Sequence, residues 1–178
     1  MCPTTVCEDR SLACSVIGTW CGEGDDAGYS AHTNPPNSAA LTALPPSITH
    51  VDVHNNRLTL FPAALNPHKT RYLARVLAHN NLMAMGLPGN LGELPHLTDL
   101  NLGANRFEGG FPAAFAGLST LRRLVIENNL LTGELPFQSL AGRMPQLKHV
   151  EMQRNEWTDP VGTLTELRTL WPECRFWI

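Results

Sequence analysis

The chain has 178 residues, 43% of them hydrophobic and 16% charged, with 16 acids against 13 bases for a net charge of −3. That near balance argues against a nucleic-acid polyanion or an acidic membrane surface as partner. No apolar stretch approaches the roughly 18 residues a transmembrane helix requires, so no membrane insertion by this segment is expected.

The first ten residues lack a positively charged start followed by a hydrophobic core, so they do not read as a secretory signal. Cys2, Cys7, Cys14 and Cys21 cluster ahead of any repeated pattern. They are compatible with disulfides stapling an N-terminal cap, with ordinary reduced thiols, or with a zinc knuckle, although no Cys-x-x-Cys pair supports zinc. Four cysteines allow three pairings, which spacing does not distinguish. Residues 22–46 hold Asn34-Pro35-Pro36-Asn37 and Pro45-Pro46, turn formers with little periodicity, and read as irregular loop. Glu23, Asp25 and Asp26 lack the twelve-residue ligand pattern of a calcium loop. Residues 1–43 are therefore expected to form a cysteine-containing cap and loop.

From residue 44 one frame returns five times: an aliphatic residue, apolar positions three and five later, an asparagine eight later and an apolar residue two beyond. The frames are Ile48, Val51, Val53, Asn56, Leu58; Leu73, Val76, Ala78, Asn81, Met83; Leu97, Leu100, Leu102, Asn105, Phe107; Leu121, Leu124, Ile126, Asn129, Leu131; and Leu147, Val150, Met152, Asn155, Trp157. Offsets three and five share one face of a strand, so these side chains point into a core and the residues between them point out. Asn is disfavoured in strands and helices alike, so five in register imply a chemical need. An amide with two donors and an acceptor can satisfy backbone groups left unpaired where each coil leaves its strand, and stacked coils would align these amides into a ladder.

The later half of the unit is patterned too, with Gly109, Phe111 and Pro112 repeated as Gly133, Leu135 and Pro136, and with Met85, Leu87 and Pro88 in the second unit. These residues resemble the plant-type subclass of leucine-rich repeats, LxxLxLxxNxLxGxIPxxLxx. The likeness covers the chain from about Leu44 onward, with two extra residues in the fourth unit around 137–142 and Asp159-Pro160 replacing the glycine and Ile-Pro in the fifth. Trp20-Cys21-Gly22 faintly resembles the Trp-Cys-Gly element of that family's N-terminal caps. The resemblance implies an α/β solenoid, a horseshoe with short parallel strands on its concave face and irregular or 3₁₀ turns on its convex face. Each unit buries its faces only against its neighbours. Residues 44–170 are then five repeats. Residues 171–178 read as the start of a sixth coil, because Trp171, Cys174 and Phe176 repeat the apolar offsets. The chain stops before that coil could finish, so it is expected to be a piece of a longer array.

Outward residues of such strands form columns across the concave face. One reads His50, Arg75, Asp99, Arg123, His149; the next Asp52, Leu77, Asn101, Val125, Glu151. Two more read His54, His79, Gly103, Glu127, Gln153 and Asn55, Asn80, Ala104, Asn128, Arg154. The alternating Arg75, Asp99 and Arg123 fit a solvated ion-pair ladder. Leu77 and Val125 set outward, with small Gly103 and Ala104 forming a dip between them, also fit apolar anchors for a protein or peptide partner. His54 and His79 with Asp52 form a faint metal-like constellation, yet surface histidines are usually solvated and no metal is assigned. No His-Glu-x-x-His, Gly-x-Ser-x-Gly, phosphate loop or kinase signature occurs, so neither catalysis nor a cofactor is expected. Cys14 or Cys21 with a histidine would be needed for a nucleophile pair, and cap cysteines have a structural role instead. Together with the resemblance, these features imply a non-enzymatic recognition module of an extracellular or cell-surface receptor-like protein. The alternative is a cytoplasmic scaffold or effector with reduced cysteines.

Overall fold

The computed structural model describes residues 19–21, 28–30, 44–135, 140 and 142–178. The expected cap staple falls on Cys2, Cys7 and Cys14, outside the described residues, and on Cys21, of which only the backbone is described. Most of the 22–46 loop and residues 136–139 and 141 of the fourth unit's extension also lie outside them.

Six three-residue strands stack in parallel, one per coil: β3 (His50–Asp52), β4 (Arg75–Leu77), β5 (Asp99–Asn101), β7 (Arg123–Val125), β9 (His149–Glu151) and β11 (Arg175–Trp177). Ahead of them β1 (Thr19–Cys21) and β2 (Gly28–Ser30) form an antiparallel pair, and β2 adds parallel to β3, completing an eight-stranded sheet. The central residue of each repeat strand, Val51, Val76, Leu100, Leu124 and Val150, is buried, as its offset predicts. β-branched and leucine side chains suit this pleated, half-buried position.

Two short elements on the far side answer to the proline positions. After Pro88 and Pro112 the chain makes 3₁₀ turns at Gly89–Glu93 and Ala113–Gly117, burying Leu91 and Phe115. The turns pack tightly, because a Cβ on Gly92 would stand 2.0 Å from the Ala114 carbonyl oxygen and one on Gly117 would stand 2.2 Å from that of Gly92. Between the two faces a second, three-stranded parallel sheet joins β6 (Glu108–Gly109), β8 (Leu130–Gly133) and β10 (Glu156–Trp157). Gly109 and Gly133 close their strands at φ +79° and +83°, a conformation that accounts for glycine at this point of the repeat.

The fifth coil departs from the expected turns. Its convex side is an α-helix, α1 (Pro160–Leu170), because Asp159 caps it by accepting from the Gly162 N–H at 3.0 Å and Pro160 supplies the preset φ of a first helical residue. Leu167 anchors it to the core, and Trp171 closes it by donating its indole N–H to the Met144 carbonyl at 3.0 Å. One hydrophobic cluster runs through all coils from Ile48 to Cys174.

Between coils stands the amide ladder. Asn81 donates from Nδ2 to the carbonyls of Val53 in the preceding coil (2.9 Å) and Ala78 in its own (3.1 Å), while its Oδ1 accepts from the Leu58 N–H at 3.0 Å. Asn105 repeats this with Ala78, Leu102 and Met83, Asn129 with Leu102, Ile126 and Phe107, and Asn155 with Ile126, Met152 and Leu131. Asn56 donates to Val53 and His54. Asn56, Asn81, Asn105 and Asn129 are buried, and Asn155 is half-buried.

Candidate concave binding face

Strand register places the first column, His50, Arg75, Asp99, Arg123 and His149, side by side, with Arg175 of β11 extending it. The second column likewise pairs Asp52, Leu77, Asn101, Val125 and Glu151, and ends on Trp177. The charges are engaged with one another. Asp99 lies 3.6 Å from Arg75 Nε and 3.9 Å from Arg123 Nη1, and Arg123 Nη2 donates to Glu151 Oε1 at 3.0 Å. His149 Nε2 reaches the same Glu151 oxygen at 2.5 Å. Burial pushes the Glu151 carboxyl up, but hydrogen bonds from His149 and Arg123 outweigh that and hold it below the usual carboxylate range. Pairs this open to solvent contribute on the order of 0.2–1 kcal/mol each, so they order the surface more than they stabilise the fold.

The third column divides at Gly103. His54 contacts Asp52 through Nδ1 and stacks on His79, the ring centroids 4.7 Å apart and the planes within 5°. Imidazole lone pairs lie in the ring plane, so parallel stacked rings do not aim them at one ion, and the metal-like constellation is not a converging site. Burial foremost, then the neighbouring His54, lowers the His79 pKa, with Arg123 adding to this and Asp52 opposing it. His79 Nδ1 is buried without a protein hydrogen-bond partner. Across Gly103, Glu127 accepts from Gln153 Nε2 at 2.6 Å.

Two features differ from the expected anchor-and-dip surface. Val125 is not an exposed anchor, being only 2% accessible, and Gly103 is buried as well. Val125 Cγ1 and Glu127 Cγ each lie 3.2 Å from where a Cβ on Gly103 would stand, so the space above the glycine is filled from the side. Asn101 is buried too, its Oδ1 accepting from the Gly103 N–H at 3.1 Å. Leu77 remains half-buried at the surface. Trp177, 44% exposed and tilted 41° against the His149 ring, supplies the large apolar side chain instead. It and Arg175 were reachable by extending the strand offsets into the sixth coil.

The fourth column has a backbone role that the offsets alone do not state. Asn55, Asn80, Ala104, Asn128 and Arg154, each just before a ladder asparagine, have φ between +51° and +57°. Asn at three of the five is the signal, since Asn tolerates this left-handed region.

A family model described as leucine rich repeat matches residues 95–157. Receptor-like protein EIX1 of Solanum lycopersicum is 30% identical over 141 residues, covering 69% of this chain and 14% of that protein. The chain is a leucine-rich-repeat protein of the plant-type subclass. Human podocan-like protein 1 is 36% identical over 124 residues, covering 66% of this chain and 22% of its own length. Among solved structures, the plant peptide hormone receptor RGFR1 in complex with RGF2 superposes with a TM-score of 0.58 at 26% identity, over 63% of this chain and 18% of that one. This leucine-rich-repeat chain thus spans less than a quarter of either curated relative. Among the described residues no helix is long and apolar enough to cross a membrane. Cys174 is a buried thiol whose pKa burial pushes up to about 12, so it carries no thiolate near neutrality.

Proposed function

We propose that the chain is a non-enzymatic recognition module that binds a protein or peptide ligand on its concave face, as part of an extracellular or cell-surface receptor-like protein. The observation that carries this reading is the register of six parallel strands. It turns scattered polar residues into one continuous surface on which Arg75, Asp99, Arg123 and Glu151 are held by mutual contacts. Side chains already ordered before binding lose less entropy when a partner docks. Likeness to receptor-like proteins and to a peptide hormone receptor supports the ligand class and the location.

The test is a random-peptide library selected on the chain and counter-screened on the doubly reversed Arg75→Glu, Arg123→Glu variant, with circular dichroism confirming its fold. Selected peptides are expected to lose at least about tenfold in affinity for the variant, as truncation of interface charge pairs does. Peptides that bind both forms equally would remove the concave face from the account.

A further inference from the structure

The near balance of the whole chain conceals a segregation. In each coil the residues that lead into the concave strand form one lateral flank. Over residues 67–74, 92–98, 116–122 and 142–148 that flank carries Lys69, Arg71, Arg122, Arg143 and Lys148 against Glu93 alone. The rest of the sequence holds eight bases and fifteen acids. We infer that this flank is a second docking surface, separate from the concave face, for a linear acidic polysaccharide. The inference goes beyond the concave-face reading and needs no histidine to change its charge, since lysine and arginine stay charged throughout the neutral range.

Backbone pairing sets these bases close together. The N–H of Lys148 donates to the Arg122 carbonyl at 2.9 Å and that of Arg122 to the Thr98 carbonyl at 2.8 Å, so the positions stack coil upon coil at the strand spacing of about 4.8 Å. Lys69 and Arg143 share one offset, four residues before Leu73 and Leu147, and Arg71 lies two residues before Leu73. The ridge from Arg71 to Lys148 thus spans three coil steps, about 14 Å of backbone, with neighbouring bases within roughly a Debye length of 8–10 Å. All five side chains are exposed, and among the described residues none of them forms an ion pair. Asp99, next in sequence to Thr98, belongs to the concave side, where Arg75 and Arg123 hold it. Residues 160–174 carry Arg168 against Glu166 and Glu173, which ends the ridge. Fixed cationic charge without an internal partner is the condition under which a surface attracts a polyanion.

The uncharged residues of the ridge single out a polysaccharide among polyanions. Tyr72 is 47% exposed, with Arg71 5.2 Å from its ring centroid and the His96 ring of the next coil nearly parallel, 6.2 Å between centroids and 7° between planes. The C–H groups on the face of a sugar ring pack against the negative face of such an aromatic. The same offset in the next two coils holds Thr120 and Gln146, whose hydroxyl and amide match sugar hydroxyls, and Gln146 Oε1 already accepts from Arg122 Nε at 3.3 Å. Single-stranded nucleic acids are held instead on aromatic rings set out for successive bases. A membrane surface calls for apolar side chains among the bases, and Tyr72 is the one exposed large hydrophobic of this flank among the described residues.

The experiment follows the anisotropy of a fluorescent dextran sulfate of about ten sugars on the full chain at about 50 mM and about 200 mM salt, beside unsulfated dextran, oligoglutamate and a single-stranded oligonucleotide of like length. Dextran sulfate is expected to bind and to lose at least about tenfold in affinity at the higher salt, and unsulfated dextran not to bind. The triple variant Arg71→Glu, Arg122→Glu, Lys148→Glu is expected to lose at least about tenfold and to show a flatter salt dependence. The concave reversal Arg75→Glu, Arg123→Glu is expected to cost far less. Tyr72→Ala should weaken dextran sulfate about fivefold and leave oligoglutamate unchanged. The reversed side chains are exposed, so the triple variant is expected to fold; if circular dichroism shows otherwise, Arg122→Glu and Lys148→Glu singly carry the test with losses of about threefold. Dextran sulfate that does not bind, or whose binding survives the flank reversal, overturns the inference. So does a concave reversal as costly as the flank one, an equal effect of Tyr72→Ala on both anions, or oligoglutamate or oligonucleotide bound as tightly as dextran sulfate. The concave-face reading stands or falls separately, on its own peptide selection.

Discussion

Asn80 and Asn81 are neighbours with identical side chains, and the fold uses them oppositely. Asn81 is buried, and its amide bridges two coils through carbonyls of Val53 and Ala78 and the N–H of Leu58. Asn80 is exposed at φ +56°, and its Nδ2 donates to the Asn55 Oδ1 of the preceding coil at 2.5 Å. In the first position the protein needs the amide's hydrogen bonds, and in the second it needs a residue that tolerates left-handed backbone. The contrast teaches that an asparagine pair in this repeat is one interior fastening and one turn.

Asn81→Ala tests the fastening and should have the largest effect. It leaves the Leu58 N–H without its acceptor, while the Val53 and Ala78 carbonyls keep the Asn56 and Asn105 amides, so at about 1–3 kcal/mol for a buried unsatisfied group the expected loss is about 1–3 kcal/mol in urea unfolding. A loss under about 0.5 kcal/mol would show that water or relaxation replaces the ladder. Asn80→Ala keeps every ladder bond but puts a Cβ-bearing residue of poorer tolerance at positive φ, so a loss of about 1 kcal/mol is expected, recovered by Asn80→Gly. Ala104 already occupies the equivalent turn at φ +51°. Ala104→Asn should therefore gain about 0.5–1 kcal/mol, and no gain would detach the turn from the asparagine preference.

The smallest effect concerns pH. Burial first, and the stacked His54 second, hold the native His79 pKa below its ordinary value, so the unfolded chain binds more protons near and below that ordinary value of about 6.5. Stability is fully present above that pH and falls as the pH drops through it. His79→Gln should flatten this slope in thermal melts between about pH 5 and pH 8. An unchanged slope would assign the titration to other groups.

Much of the architecture was legible because it rests on offsets. Strand positions, their inward residues and the side-by-side columns all follow from one repeating frame, since parallel coils of nearly equal length keep their register. α1 escaped because its eleven residues were read as a degenerate repeat, although Asp159-Pro160 is an ordinary cap and first-turn pair. Val125 was misjudged as an anchor for a different reason. Alternation states which face a side chain takes, while its accessibility depends on the packing around it, and Val125 is only 2% accessible. The His54–His79 stack is of the same kind. Their shared column was readable, but ring orientation depends on Asp52 and on local burial.

Hydrogen–deuterium exchange at the Leu58 amide tests the interior fastening most directly, because that N–H has the Asn81 side chain as its acceptor. Leu58 is expected to exchange only with global unfolding in the parent chain and after Asn80→Ala, and to become rapidly exchanging after Asn81→Ala. A Leu58 amide that already exchanges in the parent at the rate of an unstructured peptide would contradict it.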